Sequence, residues 1–183
     1  MDRALKRRLE ARFGELLVGP VRQRHDETEI RIAAGQVPEV MRALHDEAAF
    51  QFQFLVDLAG VDTGTIMQTV YHLWSETTPD WLRVIADGLS REDPRVPSVT
   101  FLWKGAEWME REAYDMFGIT FEGNRDLRRI YMPPDYTSFP LRRDFFLPDD
   151  GARSPGGGVR HMEQTHAPAN ATPDATVRRA RAS

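Results

Sequence analysis

The 183-residue chain has no cysteine. That absence removes disulfides, thiolate nucleophiles, structural cysteine–zinc sites and all-cysteine iron–sulfur ligation together. No apolar run approaches the roughly 20 residues of a membrane-spanning helix, so no membrane span is expected. The N-terminal MDRALKRRLEAR is charged from its second residue and lacks the apolar centre of a signal peptide. The histidines His25, His45, His72, His161 and His166 are scattered and form no HExxH or comparable zinc pattern. Gly156, Gly157 and Gly158 stand together but follow Ser154 and Pro155, without the preceding strand and following helix that a dinucleotide fingerprint needs. There is no P-loop, no G-x-S-x-G elbow and no internal repeat. A free hydrolase is the poorest fit, because no nucleophile and base are placed together.

What is present describes a globular body with appendages. Hydrophobic residues make up 41%, aromatics 10% and charged residues 28% of the chain, values of an ordinary water-soluble domain. The net charge of −4 is uneven: residues 151–183 carry five arginines against Glu163 and Asp174, a balance of +3, which leaves −7 before them. A general nucleic-acid binder would place its basic charge on the folded body, so no nucleic-acid partner is expected. The expected division is a globular domain at 1–118, an extended proline- and arginine-rich interaction segment at 119–150, and a flexible basic tail at 151–183.

Taken in order, Leu5, Leu9, Phe13, Leu16 and Leu17 recur at helical spacing until Gly19-Pro20. A short hairpin is expected around Asp26-Glu27. Pro38 suits the first turn of a second helix with Val37, Val40, Met41 and Leu44 inward. From 50 to 58, Phe50, Phe52, Phe54, Val56 and Leu58 alternate with more polar residues, a period of two that predicts a strand with Phe54 in the core. Strands at 66–74 and 81–86 complete an antiparallel meander, and Ser98 is placed to cap a short helical segment through Trp103. The result is an α+β fold, two-layered, with a mostly antiparallel or mixed sheet and helices on one face, in the order α-β-β-α-β-β-β, then a further helix and an extended irregular segment.

The further helix is the densest stretch. Ala106, Met109, Ala113, Met116 and Phe117 form one apolar stripe, and Gly118 stands where a left-handed C-terminal residue is needed. Arg111 lies one turn before Asp115, so a pair on the outer face is geometrically natural. Glu110, Glu112 and Asp115 invite an acid–base or metal reading. Glu110 and Glu112 diverge on a helix, however, and no histidine sits three or four residues away, which favours structural ion pairs or contacts with neighbouring subunits. Arg125, Arg128, Arg129, Arg142 and Arg143, interleaved with Tyr131, Tyr136, Phe139, Phe145 and Phe146, suit a protein interface; stacking on RNA bases is the lesser reading.

The runs EREAYDMFGI, DLRRI and PLRRD, with VYHL at 70–73 and DPRVPSVT at 93–100, resemble the signature of the thirty-kilodalton subunit family of respiratory complex I, the bacterial NADH:quinone oxidoreductase. The resemblance covers roughly 50–147. Asn124 and Arg125 stand where the family usually has His-Pro, Phe139 where it has His, and Phe146 where it has Pro. The resemblance implies a two-layer fold and a non-catalytic structural subunit of the peripheral arm, with no catalytic, cofactor or metal residues of its own. FMN and iron–sulfur clusters would lie in partner subunits. The implied partners are the other peripheral-arm subunits, above all the quinone-site and cluster-bearing ones, on the cytoplasmic side of the cell membrane. Matched to the motifs, the implied interface comprises Glu110, Arg111, Glu112, Tyr114, Asp115, Phe117 and Gly118 on the helix. It continues through Asp126, Leu127, Arg128 and Arg129, then Pro140, Leu141, Arg142, Arg143 and Asp144. On this reading, reversing Arg128 and Arg129 harms assembly more than folding. An equivalent subunit of a ferredoxin-, deazaflavin- or hydrogenase-linked membrane complex is the alternative, and an RNA-binding module the alternative of another class.

Overall fold

The computed structural model describes residues 3–24 and 27–146. Helix α1 (Arg3–Phe13) buries Leu5, Leu9 and Phe13, the i, i+4, i+8 face expected of it. It ends earlier than the leucine spacing predicts. The N–H groups of Leu16 and Leu17 both fold back to the Phe13 carbonyl (2.8 and 3.1 Å), and Leu17 bridges Ile32 instead of extending the helix.

Strands β1 (Arg22–Arg24) and β2 (Glu27–Ala33) form the expected hairpin; Asp26 itself falls outside the described residues. A short 3₁₀ turn leads into α2 (Val37–Asp46), which has Pro38 in its first turn and buries Val37, Val40, Met41 and Leu44. Then come β3 (Phe54–Asp62), β4 (Met67–Ser75) and β5 (Asp80–Leu89) as an antiparallel meander. The five strands lie in the order β1-β2-β5-β4-β3, with β2 and β5 parallel, so the sheet is mixed.

One strand departs from its pattern. Phe50 and Phe52 are buried as expected but precede the strand, on a chain turned by Gln51 at φ 52°. Within β3 the pairing slips between Leu55 and Asp57, leaving Val56 without a partner on β4. A bulge of one residue inverts which side chains face inward. Leu58 is therefore buried, whereas Phe54 and Val56 are each 46% exposed, and Phe54 is not a core residue.

After β5, strand β6 (Arg95–Pro97) pairs in parallel with β7 (Thr120–Glu122) in a small second sheet. Between them, the segment from Ser98 to Trp103 is a single turn, with the Leu102 and Trp103 N–H groups sharing the Val99 carbonyl, rather than a helical segment. Helix α3 (Ala106–Phe117) follows and ends at Gly118, whose φ of 74° and N–H to the Tyr114 carbonyl (2.8 Å) form the expected left-handed cap.

Helix α3 packs on β3 so closely that a Cβ on Gly60 would lie 2.6 Å from the Phe117 ring. Side chains from α1, α2 and α3 join those of β2, β3, β4 and β5 in one apolar core, which makes the two-layer arrangement. No described helix is long and apolar enough to cross a membrane. The tail expected at 151–183 lies outside the described residues.

Candidate functional site

The signature residues converge on α3 and on the strap that follows β7, residues 123–145. The strap has almost no regular structure, and no residue in it is fully buried. It is held by three carboxylates anchored in the body: Asp115 and Asp62 accept its main-chain N–H groups, and Glu110 accepts the Asn124 side-chain amide.

Asp115, fully buried near the end of α3, accepts the backbone N–H groups of Ile130 (2.9 Å), Tyr131 (2.6 Å) and Met132 (3.0 Å) on one oxygen. Its other oxygen takes the Arg129 guanidinium at 2.6 Å. Burial alone would push the carboxyl upward, but the three N–H donors and Arg129 outweigh it and hold Asp115 below the usual carboxylate range. Arg129 also reaches the Asp115 and Ser138 carbonyls, and its cation faces the rings of Phe139 (5.1 Å), Tyr136 (5.7 Å) and Tyr114 (6.0 Å).

The expected Arg111–Asp115 pair does not form. Arg111 is itself buried, donates to the Arg128 carbonyl (3.1 Å), approaches Asp126 at 3.7 Å and lies under the Trp108 ring at 4.5 Å. Helical spacing permits the pair, but the strap's unsatisfied N–H groups and Arg129 take both Asp115 oxygens.

Glu110, fully buried, accepts the Ser98 hydroxyl (2.8 Å), the Val99 N–H (2.8 Å) and the Asn124 side-chain amide (2.8 Å). The Ser98 oxygen also accepts the Thr100 N–H (3.1 Å), a cap-like contact on the single turn that follows. Burial raises the Glu110 carboxyl despite those bonds. Asn124, one of the departures from the family pattern, ties Glu110 to the Asp126 N–H (2.9 Å). Asp62, at the end of β3, binds Arg91 through two nitrogens (3.0 and 2.7 Å) and accepts the N–H groups of Arg143 (2.9 Å) and Gly64 (2.8 Å). Burial opposes its ionisation, yet these donors hold its carboxyl at about 2.

The strap's far end is pinned by Arg142, which donates to the carbonyls of Phe117 (2.7 Å) and Arg91 (3.0 Å) and stacks on Phe139 (4.7 Å). The Leu141 N–H reaches the Met116 carbonyl (3.1 Å). Phe139, the second departure, occupies the space beside Gly118, where a Cβ would strike its ring at 2.6 Å. Glycine is thus required there twice, for its φ and for this contact.

The structure divides the predicted site residues into three groups. Glu110, Arg111, Asp115, Gly118, Arg129 and Arg142 face inward and hold the fold, so Arg129 and Arg142, both expected to meet a partner, are engaged within the chain. Glu112, Arg128, Leu141, Arg143 and Asp144 face solvent, while Tyr114, Phe117, Asp126, Leu127 and Pro140 are partly covered. Beside them stand two strongly exposed aromatics, Trp108 at 60% and Tyr131 at 62%. Trp108 is a large apolar residue that lies off the α3 stripe, a signal legible in the sequence. Among the described residues no His, Asp and Glu cluster is arranged to hold a metal ion. Glu110 and Asp115 are saturated by structural donors, so neither faces a substrate as acid or base.

Residues 30–150 match the family model described as respiratory-chain NADH dehydrogenase, 30 Kd subunit. Curated relatives include an NADH-quinone oxidoreductase subunit of Rhizobium meliloti (strain 1021), 47% identical over 115 residues, covering 61% of this chain and 62% of the relative. The corresponding NADH-quinone oxidoreductase subunit of Salinispora arenicola (strain CNS-205) is 40% identical over 139 residues, covering 74% of this chain and 56% of the relative. The chain thus spans about three fifths of the length of the relatives it matches. Among solved structures, the trypsin-resistant fragment (1-134) of Nqo5 superposes with a TM-score of 0.57 at 32% identity, over 68% of this chain and 99% of that one. A chain of the membrane-bound sulfane sulfur reductase, an archaeal respiratory membrane complex, superposes with a TM-score of 0.62 at 26% identity, over 78% and 84%.

Proposed function

The chain belongs to the respiratory-chain NADH dehydrogenase 30 Kd subunit family, and from that premise we propose that it is a non-catalytic structural subunit of the peripheral arm of a proton-translocating NADH:quinone oxidoreductase. In this role it braces the subunits that carry FMN, iron–sulfur clusters and the quinone site, on the cytoplasmic side of the membrane. The observation that carries the reading is the division of the signature. Its buried charges are spent on contacts within the chain that fix the strap, while Arg128 and Leu141, with Trp108 and Tyr131 beside them, are left on the surface. Exposed aromatics beside arginine are the composition of interface cores. The interface proposed is therefore this outer rim, with the inward residues fixing its shape.

The test is purification of the native complex through an affinity tag on this chain. Co-elution of flavin- and cluster-bearing subunits with NADH:quinone reductase activity is expected. A complete, active complex purified through another subunit and lacking this chain would overturn the proposal. The likeness to the sulfane sulfur reductase complex favours one second reading, the equivalent place in a related ferredoxin-, deazaflavin- or hydrogenase-linked membrane complex. The electron-input subunits that co-elute decide between them.

A further inference from the structure

The sheet has two edges, and they are protected very differently. At one, β1 is three residues long, Arg-Gln-Arg, and wholly exposed; beside it, Leu17 bridges Ile32 and the Val18 N–H donates to the Arg31 carbonyl (2.7 Å), which covers the remainder of β2, so this edge is short and charged. Those are the usual guards of a sheet edge. At the other, β3 runs nine residues, FLVDLAGVD, with no proline, lysine or arginine. Its main chain pairs with β4 on one side, and the Leu58 N–H is taken by the Asp57 carboxylate (2.9 Å); among the described residues nothing else pairs along the outer side. Phe54 and Val56 are exposed at its start, and the Phe54, Trp74 and Trp81 rings run across three strands at 5.5 and 6.4 Å between centroids, Trp81 being exposed as well. An open hydrogen-bonding edge and an exposed aromatic row coincide.

Charge indicates the occupant. Residues 43–82 carry six carboxylates and no lysine or arginine. Asp62, Glu47 and Asp80 are met by Arg91, Arg12 and Arg8 from elsewhere in the chain. Asp57 and Glu76 are exposed and make no ion pair among the described residues. A second copy would bring the same acidic edge against itself. We propose that the β3 edge is a strand-addition site for an extended segment of a different polypeptide, aliphatic beside Phe54 and Val56 and basic beside Asp57. Main-chain hydrogen bonds would supply affinity, and alternate side chains register. This inference goes beyond the family reading: α3 packs on the face of β3 and the strap meets Asp62 at its far end, while the open edge from Phe54 to Asp57 does not depend on which complex the chain serves.

The full-length chain is titrated with a short extended peptide that carries valine and then lysine along one face, N-methylated on alternate residues so that it has one hydrogen-bonding edge. Slowed hydrogen exchange at alternate amides of β3 is expected. Replacing the peptide's lysines with glutamates, or substituting Val56→Lys, is expected to weaken binding by about tenfold. Should Val56→Lys disturb the fold, Asp57→Lys at an exposed position must invert the preference between the two peptides. Equal binding of both peptides, or protection elsewhere, overturns the proposal. Because the chain has no cysteine, Val56→Cys carrying a photo-cross-linker reports competing occupants. A cross-linked dimer shows a second copy on the edge, and a cross-link to residues 147–183 shows the chain's own tail; either overturns it.

Discussion

Within the body, the chain buries Leu5, Phe13, Met41, Leu44, Phe52, Tyr71 and Phe121 against one another; in the strap it fully buries no residue and instead brings main-chain N–H groups to carboxylates anchored in the body. The body is held by a non-directional force that scales with apolar area and tolerates small shifts. The strap is held by charge-assisted hydrogen bonds, which are short, directional and lost when one partner goes. An irregular segment with little apolar surface is thereby given a defined shape, as a surface for recognition requires.

The largest effects distinguish the two regions. Phe52→Ala is expected to lower global stability by about 3–5 kcal/mol through cavity formation. Asp115→Ala leaves Arg129 and three N–H groups without their acceptor, a loss of similar size, about 3–5 kcal/mol. The location differs, however: hydrogen exchange is expected to accelerate at Ile130, Tyr131 and Met132 while β4 and β5 stay protected. Equal acceleration in the sheet would show that strap and body unfold as one unit.

Acid sharpens the contrast further. Asp62 and Asp115 have folded-state values held below their unfolded ones, so their stabilisation is in place above about pH 4 and fades as pH falls through the folded values, about 2 for Asp62. For Asp62 that amounts to about 2 kcal/mol. Glu110 runs the opposite way. Its raised value makes its contribution full below about pH 4 and lost as pH rises through the folded value. Strap protection, corrected for intrinsic exchange, is expected to fall between about pH 4 and pH 2 before that of the sheet. Asp62→Asn is expected to flatten the pH dependence at Arg143.

Smaller effects come from exposed positions. Phe54→Ala is expected to cost about 1 kcal/mol in thermal or urea melting, since its ring is already half exposed and packs against Trp74. Arg128→Glu, at a side chain 73% exposed and touching Asp126, is expected to change stability by no more than about 0.5 kcal/mol. Its consequence is expected in recovery of the assembled complex. Arg129→Glu, which sets a carboxylate against Asp115, is expected to loosen the strap in the isolated chain. The two neighbouring arginines thus separate folding from assembly.

Much of this molecule was readable from residue order alone. The apolar stripe of α3, the glycine that ends it, the two-strand and three-strand runs around α2, and the exclusion of thiolate chemistry follow from local rules: a 3.6- or 2-residue period and the conformational range of glycine. Those rules state which face of an element is apolar and where it stops. They do not state which distant group meets it. The bulge at Val56 that turned Phe54 outward, the parallel pairing of β2 with β5, and the choice of Asp115 for Arg129 and the strap over Arg111 one turn away were decided only by the tertiary structure. Each depends on competition among partners far apart in sequence, and a buried carboxylate goes to the set of donors that satisfies all its lone pairs, not to the nearest cation along the helix.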